Sequence, residues 1–373
     1  MYIVFFGLTI TSSWGNGHAS TYRSLLQGLA RRGHRVAFCE RNAEWYASNR
    51  DLPQADYARI ETYDDREQGE LLARQAAAEA DAIVIGSYCP DAIPVLETVL
   101  GHGHARVCFY DIDTPITLEQ LRTGACAYLR AGHVPNLDAY FSFTGGPVLE
   151  ELENEWGARF VRPLYCSCDP MLYHPGKLPT GVTHDLSYMG TYAPDRQAKL
   201  HRLLIEPARR MPERRFVIAG PLFPDVDRWP PNVRSIFHLS PREHRSFYLS
   251  SRVTLNLTRQ AMVEYGYSPS VRLFEAAACG VPILSDHWPG IEEFFEPGRE
   301  ILLAHDASDV VACLRQRSTR ELHNIGEAAH ARVLAQHTGE RRAEEFECIF
   351  ADAAAAGPRK TVESGVWRVE RKT

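Results

Sequence analysis

Short unbroken apolar runs alternate along this chain with longer stretches in which apolar residues recur every three or four positions. The first pattern predicts strands buried on both faces, and the second predicts amphipathic helices. Residues 2–6 (Tyr-Ile-Val-Phe-Phe) form the first strand. Tyr22, Leu25, Leu26, Leu29 and Ala30 then fall on one face of a helix over 18–32, which Gly33 ends. The rhythm predicts strands over 35–39, 57–60, 82–85, 105–110, 139–143 and 159–162. Helices are expected between most of them, 66–80 and 91–100 among them. Pro163, Pro170, Pro175, Gly176, Pro179 and Gly181 then crowd one segment, which reads as an interdomain linker. A second series follows, with strands over 185–189, 215–219, 233–237, 253–257, 281–285 and 301–303. Its helices span 195–210, 241–250, 271–279, 308–316 and 320–336, and a last helix covers 340–355. Alternating strands and helices predict parallel doubly wound sheets, here two of them facing across a cleft. The expected divisions are 1–165, a linker over 166–184, 185–339, a helix over 340–356 and a flexible tail over 357–373.

Length and composition agree with that division. At about 150 residues per domain, 373 residues make two. Hydrophobic residues are 45% and charged residues 24%, as in an ordered globular chain. Lys and Arg total 41 against 47 Asp and Glu, so no basic excess points to a nucleic-acid partner. No apolar run approaches the about 18 residues of a membrane span. The N-terminus lacks a basic n-region and reads as a strand, not a signal peptide. Nine scattered cysteines, with only Cys166 and Cys168 close together, predict no zinc site and a reducing, cytoplasmic setting.

Four segments carry candidate chemistry. The loop before the first helix contains Gly15, Gly17 and His18. Glycines let backbone N–H groups approach a ligand, and the helix N-terminus favours an anion there. His18 is a candidate base. Gly15 and Gly17 also fit two positions of the dinucleotide fingerprint, with Glu40 where a ribose-binding acid would stand, but Ser20 occupies the third glycine position. Asp111, Asp113 and Thr114 follow the strand 105–110. Asp113 is either a catalytic carboxylate or a helix cap, and Thr114 reads as a cap. Gly190, Thr191, Tyr192 and Arg196 open the second series, where Arg196 could take a phosphate. Residues 266–282 hold Tyr267, Ser268, Ser270, Arg272 and Glu275. The two serines could receive phosphate oxygens. Glu275 stands among Phe, Leu and Ala, where a charge needs partners or ligand hydroxyls. An i, i+3 pair with Arg272 contributes only a few tenths of a kcal/mol and explains it poorly. His102, His104 and His133 show no ligand spacing and read as surface residues.

Ser13-Trp14-Gly15-Asn16-Gly17-His18, Tyr188-Met189-Gly190-Thr191-Tyr192 and, above all, Pro269-Ser270-Val271-Arg272-Leu273-Phe274-Glu275-Ala276-Ala277-Ala278-Cys279-Gly280-Val281-Pro282 resemble GT-B fold glycosyltransferases. The resemblance is to the CgeB-like, spore-maturation type within the retaining group 1 enzymes. It implies two Rossmann-like domains, with the acceptor on the first, a nucleoside-diphosphate sugar on the second, and a last helix crossing back to the first. It implies that Glu275 binds the donor ribose, that Ser270 meets the diphosphate with Arg196 as an added contact, and that no metal or cofactor is needed. Group 1 enzymes often carry another Glu where this chain has Tyr267.

The expected activity is therefore metal-independent transfer of a sugar, of hexosyl type, to an acceptor hydroxyl with retention. Arg196 and Arg272 would stabilise the leaving phosphate, and under inversion His18 or Asp113 would be the base. The alternatives are a nicotinamide-dependent oxidoreductase, from Gly15, Gly17 and Glu40, and a non-catalytic sugar-binding or spore-coat-type protein of the same fold.

Overall fold

The computed structural model describes residues 1–102, 104–178 and 181–357. Pro179 of the expected linker and residues 358–373 of the expected tail lie outside them. The chain forms two units, one of residues 1–166 joined by the segment from Gly339, the other Ser167–Thr338.

The first unit is built on a parallel sheet of seven strands: β1 (Tyr2–Gly7), β2 (Arg35–Arg41), β3 (Arg59–Tyr63), β4 (Ala82–Gly86), β5 (Arg106–Asp111), β6 (Ala139–Ser142) and β7 (Val161–Pro163). Their spatial order is β3-β2-β1-β4-β5-β6-β7. The second unit has six parallel strands: β8 (His184–Met189), β9 (Phe216–Ala219), β10 (Val233–Ile236), β11 (Ser251–Asn256), β12 (Ile283–Ser285) and β13 (Leu302–Leu303). They run β10-β9-β8-β11-β12-β13. Each sheet reverses its winding once, between β1 and β4 and between β8 and β11. In such sheets ligands bind beyond the carboxyl ends of the strands at that point. Helices cover both faces, which is why strands such as β4 (Ala-Ile-Val-Ile-Gly) are buried at every position.

The last helix, Gly339–Ala355, packs on Gly17–Arg31. Two glycines allow the close crossing: a Cβ on Gly28 would lie 2.2 Å from the Gly339 carbonyl oxygen, and one on Gly339 would lie 2.1 Å from that of Ser24. Phe346 then reaches the sheet, its ring 6.4 Å from Phe5 and 5.2 Å from Phe141.

Two local expectations are corrected. The helix predicted over 195–210 runs as a 3-10 turn (Pro194–Arg196), an α segment (Gln197–Leu200), a π segment (His201–Ile205) and a final α segment (Glu206–Arg210). Pro207 explains the change of register, since it has no N–H to give the carbonyl four residues back. The helix that the capping reading of Asp113 implies is Thr114–Thr123, with Pro115 in its first turn and Gly124 in the left-handed conformation at its end. His133 is fully buried, not at the surface. Burial and then the Arg130 charge pull its pKa down to about 4. The segment read as a linker is fastened to the second unit: Cys168 N donates to His337 O at 3.1 Å, and Arg245 donates to the carbonyls of His174 and Pro175.

Candidate active site

At the winding point of the second unit, β8 ends and the chain turns through Gly190. A Cβ there would stand 2.9 Å from both Arg272 Nη2 and Tyr188 Oη. The neighbouring turn after β9 needs Gly220, whose φ is +148° and whose Cβ would lie 2.1 Å from the Gly190 carbonyl oxygen. The Arg272 guanidinium lies 5.4 Å from the centre of the Tyr188 ring and donates to Asn256 Oδ1 (3.2 Å) and Leu257 O (3.3 Å). Arg196 donates to the Thr191 carbonyl at 2.6 Å. Burial, with the Arg272 charge adding to it, pulls the Arg196 guanidinium below its ordinary pKa, although Tyr188 opposes the shift. Among the described residues neither arginine has a carboxylate partner, and the Nε of each is buried without an acceptor. Arg259 Nε is likewise unbonded, 3.7 Å from Asp195. Charges placed this way are costly unless an anion completes them.

Ser270 stands at the start of the helix Val271–Ala278 without a side-chain cap bond, and its hydroxyl donates to Asn256 Oδ1 at 2.8 Å. The first-turn amides are thus left without that side-chain partner. Tyr267 adopts φ 49°, and its ring fills the space where a Cβ on Gly290 would lie 2.3 Å from Cδ1. Ser268 is buried, its hydroxyl donating to Met262 Sδ at 3.1 Å. Tyr192 carries no charge to the cluster; its ring packs edge-on against Phe223.

Glu275 is 2% exposed. Its Oε2 accepts the Tyr248 phenol at 3.1 Å and lies 3.7 Å from His244 Nδ1. Tyr173 completes the group, 3.2 Å from the same His244 nitrogen. Burial pushes the carboxyl up, but His244, Tyr173 and Tyr248 together hold it below its usual range. The acid in the apolar helix is therefore satisfied inside the unit and does not pair with Arg272. This is the reason the sequence reading lacked, and it removes the argument that only a ribose could explain the residue.

In the first unit, Gly15 (φ 60°) and Gly17 have open space where a Cβ would be. Asn16 caps the helix by accepting the His18 amide at 2.9 Å. His18 Nε2 lies 3.8 Å from Asp113 Oδ2, and its ring meets Tyr88 edge-on at 5.2 Å. His18 Nδ1 is buried without a hydrogen bond. Asp113 sits at the N-cap of Thr114–Thr123 without capping it, and Thr114 bonds Ser142 Oγ at 2.7 Å, so neither acts as the cap read from sequence.

The dinucleotide reading fails in this unit. Glu40 is 1% exposed and accepts the Ile10 amide (2.6 Å), the Thr11 amide and the Thr11 hydroxyl. It anchors the glycine loop and has no oxygen open to a ribose. Tyr22 fills the crevice between β1 and β4: a Cβ on Gly86 would lie 1.7 Å from its hydroxyl oxygen. The roles of Tyr248, Tyr173, His244 and Asn256 were missed because no local motif marks them. Among the described residues, no group of three or more His, Cys, Asp or Glu is placed to hold a metal ion, and no helix is long and apolar enough to cross a membrane.

Residues 196–347 match a family described as "Glycosyl transferase-like". No curated protein matches by sequence. Solved structures match in fold. Sucrose-phosphate synthase from Thermosynechococcus elongatus shares 14% identity at a TM-score of 0.69, covering 96% of this chain and all of that one. Anabaena HepE, in complex with UDP and glucose, shares 12% at 0.66, covering 94% and 100%. An E. coli trehalose-6-phosphate structure bound with UDP-2-fluoro glucose shares 12% at 0.65, covering 96% and 100%. By fold and by the family of its second unit, the chain is a glycosyltransferase of the GT-B kind, with residues 196–347 carrying the glycosyl transferase-like family's sequence.

Proposed function

We propose that this chain transfers a sugar from a nucleoside-diphosphate sugar to an acceptor hydroxyl, without a metal, and that Arg196 and Arg272 receive the diphosphate. One observation carries the reading: two half-buried arginines, one of them against Gly190, have no carboxylate partner among the described residues and keep buried Nε–H groups without an acceptor. An oxyanion of the donor supplies the missing acceptors, and as the bond from the anomeric carbon to the β-phosphate oxygen breaks, the growing negative charge is stabilised there. The acceptor oxygen bonds to the anomeric carbon and gives up its proton. Solved relatives in fold carry UDP and glucose or UDP-2-fluoro glucose, which favours a uridine nucleotide and a hexose.

Retention, with the proton passing to the leaving phosphate, follows from the group 1 resemblance, and so does a place in the CgeB-like group. The His18–Asp113 pair favours a second outcome. With His18 Nε2 3.8 Å from Asp113 Oδ2, the two candidate bases lie together, and His18 or Asp113 would take the acceptor proton under inversion. Ribose binding by Glu275 is left out of the proposal because the carboxylate is enclosed by Tyr248, Tyr173 and His244.

Thermal shift with UDP, GDP, ADP and dTDP, followed by product analysis with the matching sugar donors, tests the reading. At least one nucleotide should raise the Tm, and both Arg196→Ala and Arg272→Ala should abolish that rise. Stabilisation that survives both variants would place the nucleotide elsewhere. Donor turnover no greater than in Arg272→Ala would favour a non-catalytic binding protein. The anomeric configuration of the product decides between retention and inversion.

A further inference from the structure

Asp111 is a completely buried carboxylate that the reaction above does not use. It ends β5, and both of its oxygens are engaged. Oδ2 accepts the Tyr140 phenol at 2.5 Å. Oδ1 accepts the Thr117 hydroxyl at 2.7 Å and the Asp113 backbone N–H at 3.3 Å. Thr117 has only one hydroxyl hydrogen and gives it to Asp111, so in the 2.8 Å contact between Thr117 Oγ1 and Tyr128 Oη the phenol donates. The Tyr128 ring lies 4.9 Å from that of Tyr88, and Tyr88 lies 5.2 Å from the imidazole of His18. Two short chains of contact therefore start on one carboxylate and end on the two members of one pair. The first reaches Asp113 through its own amide. The second reaches His18 through Thr117, Tyr128 and Tyr88.

We propose that Asp111 is the positioning residue of the His18–Asp113 pair, holding Asp113 by its amide and the His18 ring through Thr117, Tyr128 and Tyr88. Burial pushes the Asp111 carboxyl up to about 6, against the hydrogen bonds of Tyr140 and Thr117. A neutral amide would avoid that desolvation, but with its oxygen kept on Thr117 and the Asp113 amide, its NH2 group would face the Tyr140 phenol, which would lose its acceptor. The catalytic consequence rests on the reading of His18 given above; the positioning itself does not.

NMR of the histidine ring protons in the full chain tests it, beside steady-state transfer kinetics. The Thr117→Val and Tyr128→Phe variants each cut the second chain and leave Asp111 in place. Each should move the His18 ring resonances, which Tyr88 shifts by its ring current. Each should also lower kcat by about tenfold while leaving KM for the sugar donor unchanged. Thr117→Ser should restore both. Tyr140→Phe breaks the bond on the other oxygen and should leave the His18 resonances in place. Unmoved His18 resonances in both folded chain-cutting variants, or an equal movement in Tyr140→Phe, would overturn the proposal. If His18→Ala retains full transfer while Thr117→Val still moves the His18 ring, the positioning stands and the catalytic reading of His18 falls.

Discussion

The Tyr248 phenol donates to Glu275 Oε2 at 3.1 Å, 27 residues away in the chain, and so gives an acid in an apolar helix its partner. Glu275→Gln keeps the shape but loses the charge-assisted bonds, and should lower stability at neutral pH by about 1–3 kcal/mol. Because the folded-state pKa of Glu275 is depressed, its contribution is present above the ordinary carboxyl value and is lost as pH falls through the folded one. The gap in Tm between wild type and variant should therefore narrow on acidification. The same variant should bind UDP and 2′-deoxy-UDP with the wild-type ratio of affinities by calorimetry. A collapsed ratio would return the ribose to Glu275.

Arg196 and Arg272 should each matter to affinity more than to folding. Alanine at either position should weaken nucleoside-diphosphate binding by about 10- to 100-fold, as for the loss of a charged hydrogen-bonding group. Arg272→Lys should recover little of this, since a lysine cannot bond Asn256 and Leu257 and still offer a planar fork. Calorimetric titration of each folded variant checks both statements.

Two glycines in adjoining turns should respond differently. In Gly190→Ala the new Cβ meets side-chain ends, Arg272 Nη2 and Tyr188 Oη, both at 2.9 Å, so the guanidinium moves and nucleotide binding weakens while the Tm falls less than in Gly220→Ala. In Gly220→Ala the Cβ meets backbone at 2.1 Å from a position with φ +148°, and nothing there can yield cheaply. That variant should lose about 2 kcal/mol or more, read by denaturant unfolding.

His133 should make the first unit acid-sensitive. Its folded pKa is pulled down to about 4, against an unfolded value near 6.5. The neutral form stabilises the fold above about pH 6.5, and that contribution is lost as pH falls from there through about 4, up to about 3 kcal/mol in all. His133→Asn should be less stable at pH 7.5, and its denaturation midpoint should fall less steeply on acidification than that of wild type. Parallel curves would mean that the histidine is charged in the fold.

Much of the architecture was legible in local pattern. Strand and helix periods are short-range properties, so the alternation over β1–β6 and β8–β12 could be read from neighbouring residues, and with it the parallel winding that puts Gly190 and the glycine loop after β1 at the ends of strands. Arg196 and Arg272 could be singled out by their places beside turns and helix starts. Pairing could not be read that way. Ile10 with Glu40, Tyr140 with Asp111 and Tyr248 with Glu275 are separated by 30, 29 and 27 residues. Which loop closes over which strand end depends on the packed sheet and not on the residues beside either partner. The chain's own order of residues thus determined two doubly wound sheets and where their turns fall. Only the folded molecule decided that Glu40 and Glu275 are spent on internal partners while two arginines are left without a carboxylate, because a charge in the fold takes its role from whatever long-range packing brings within about 3 Å of it.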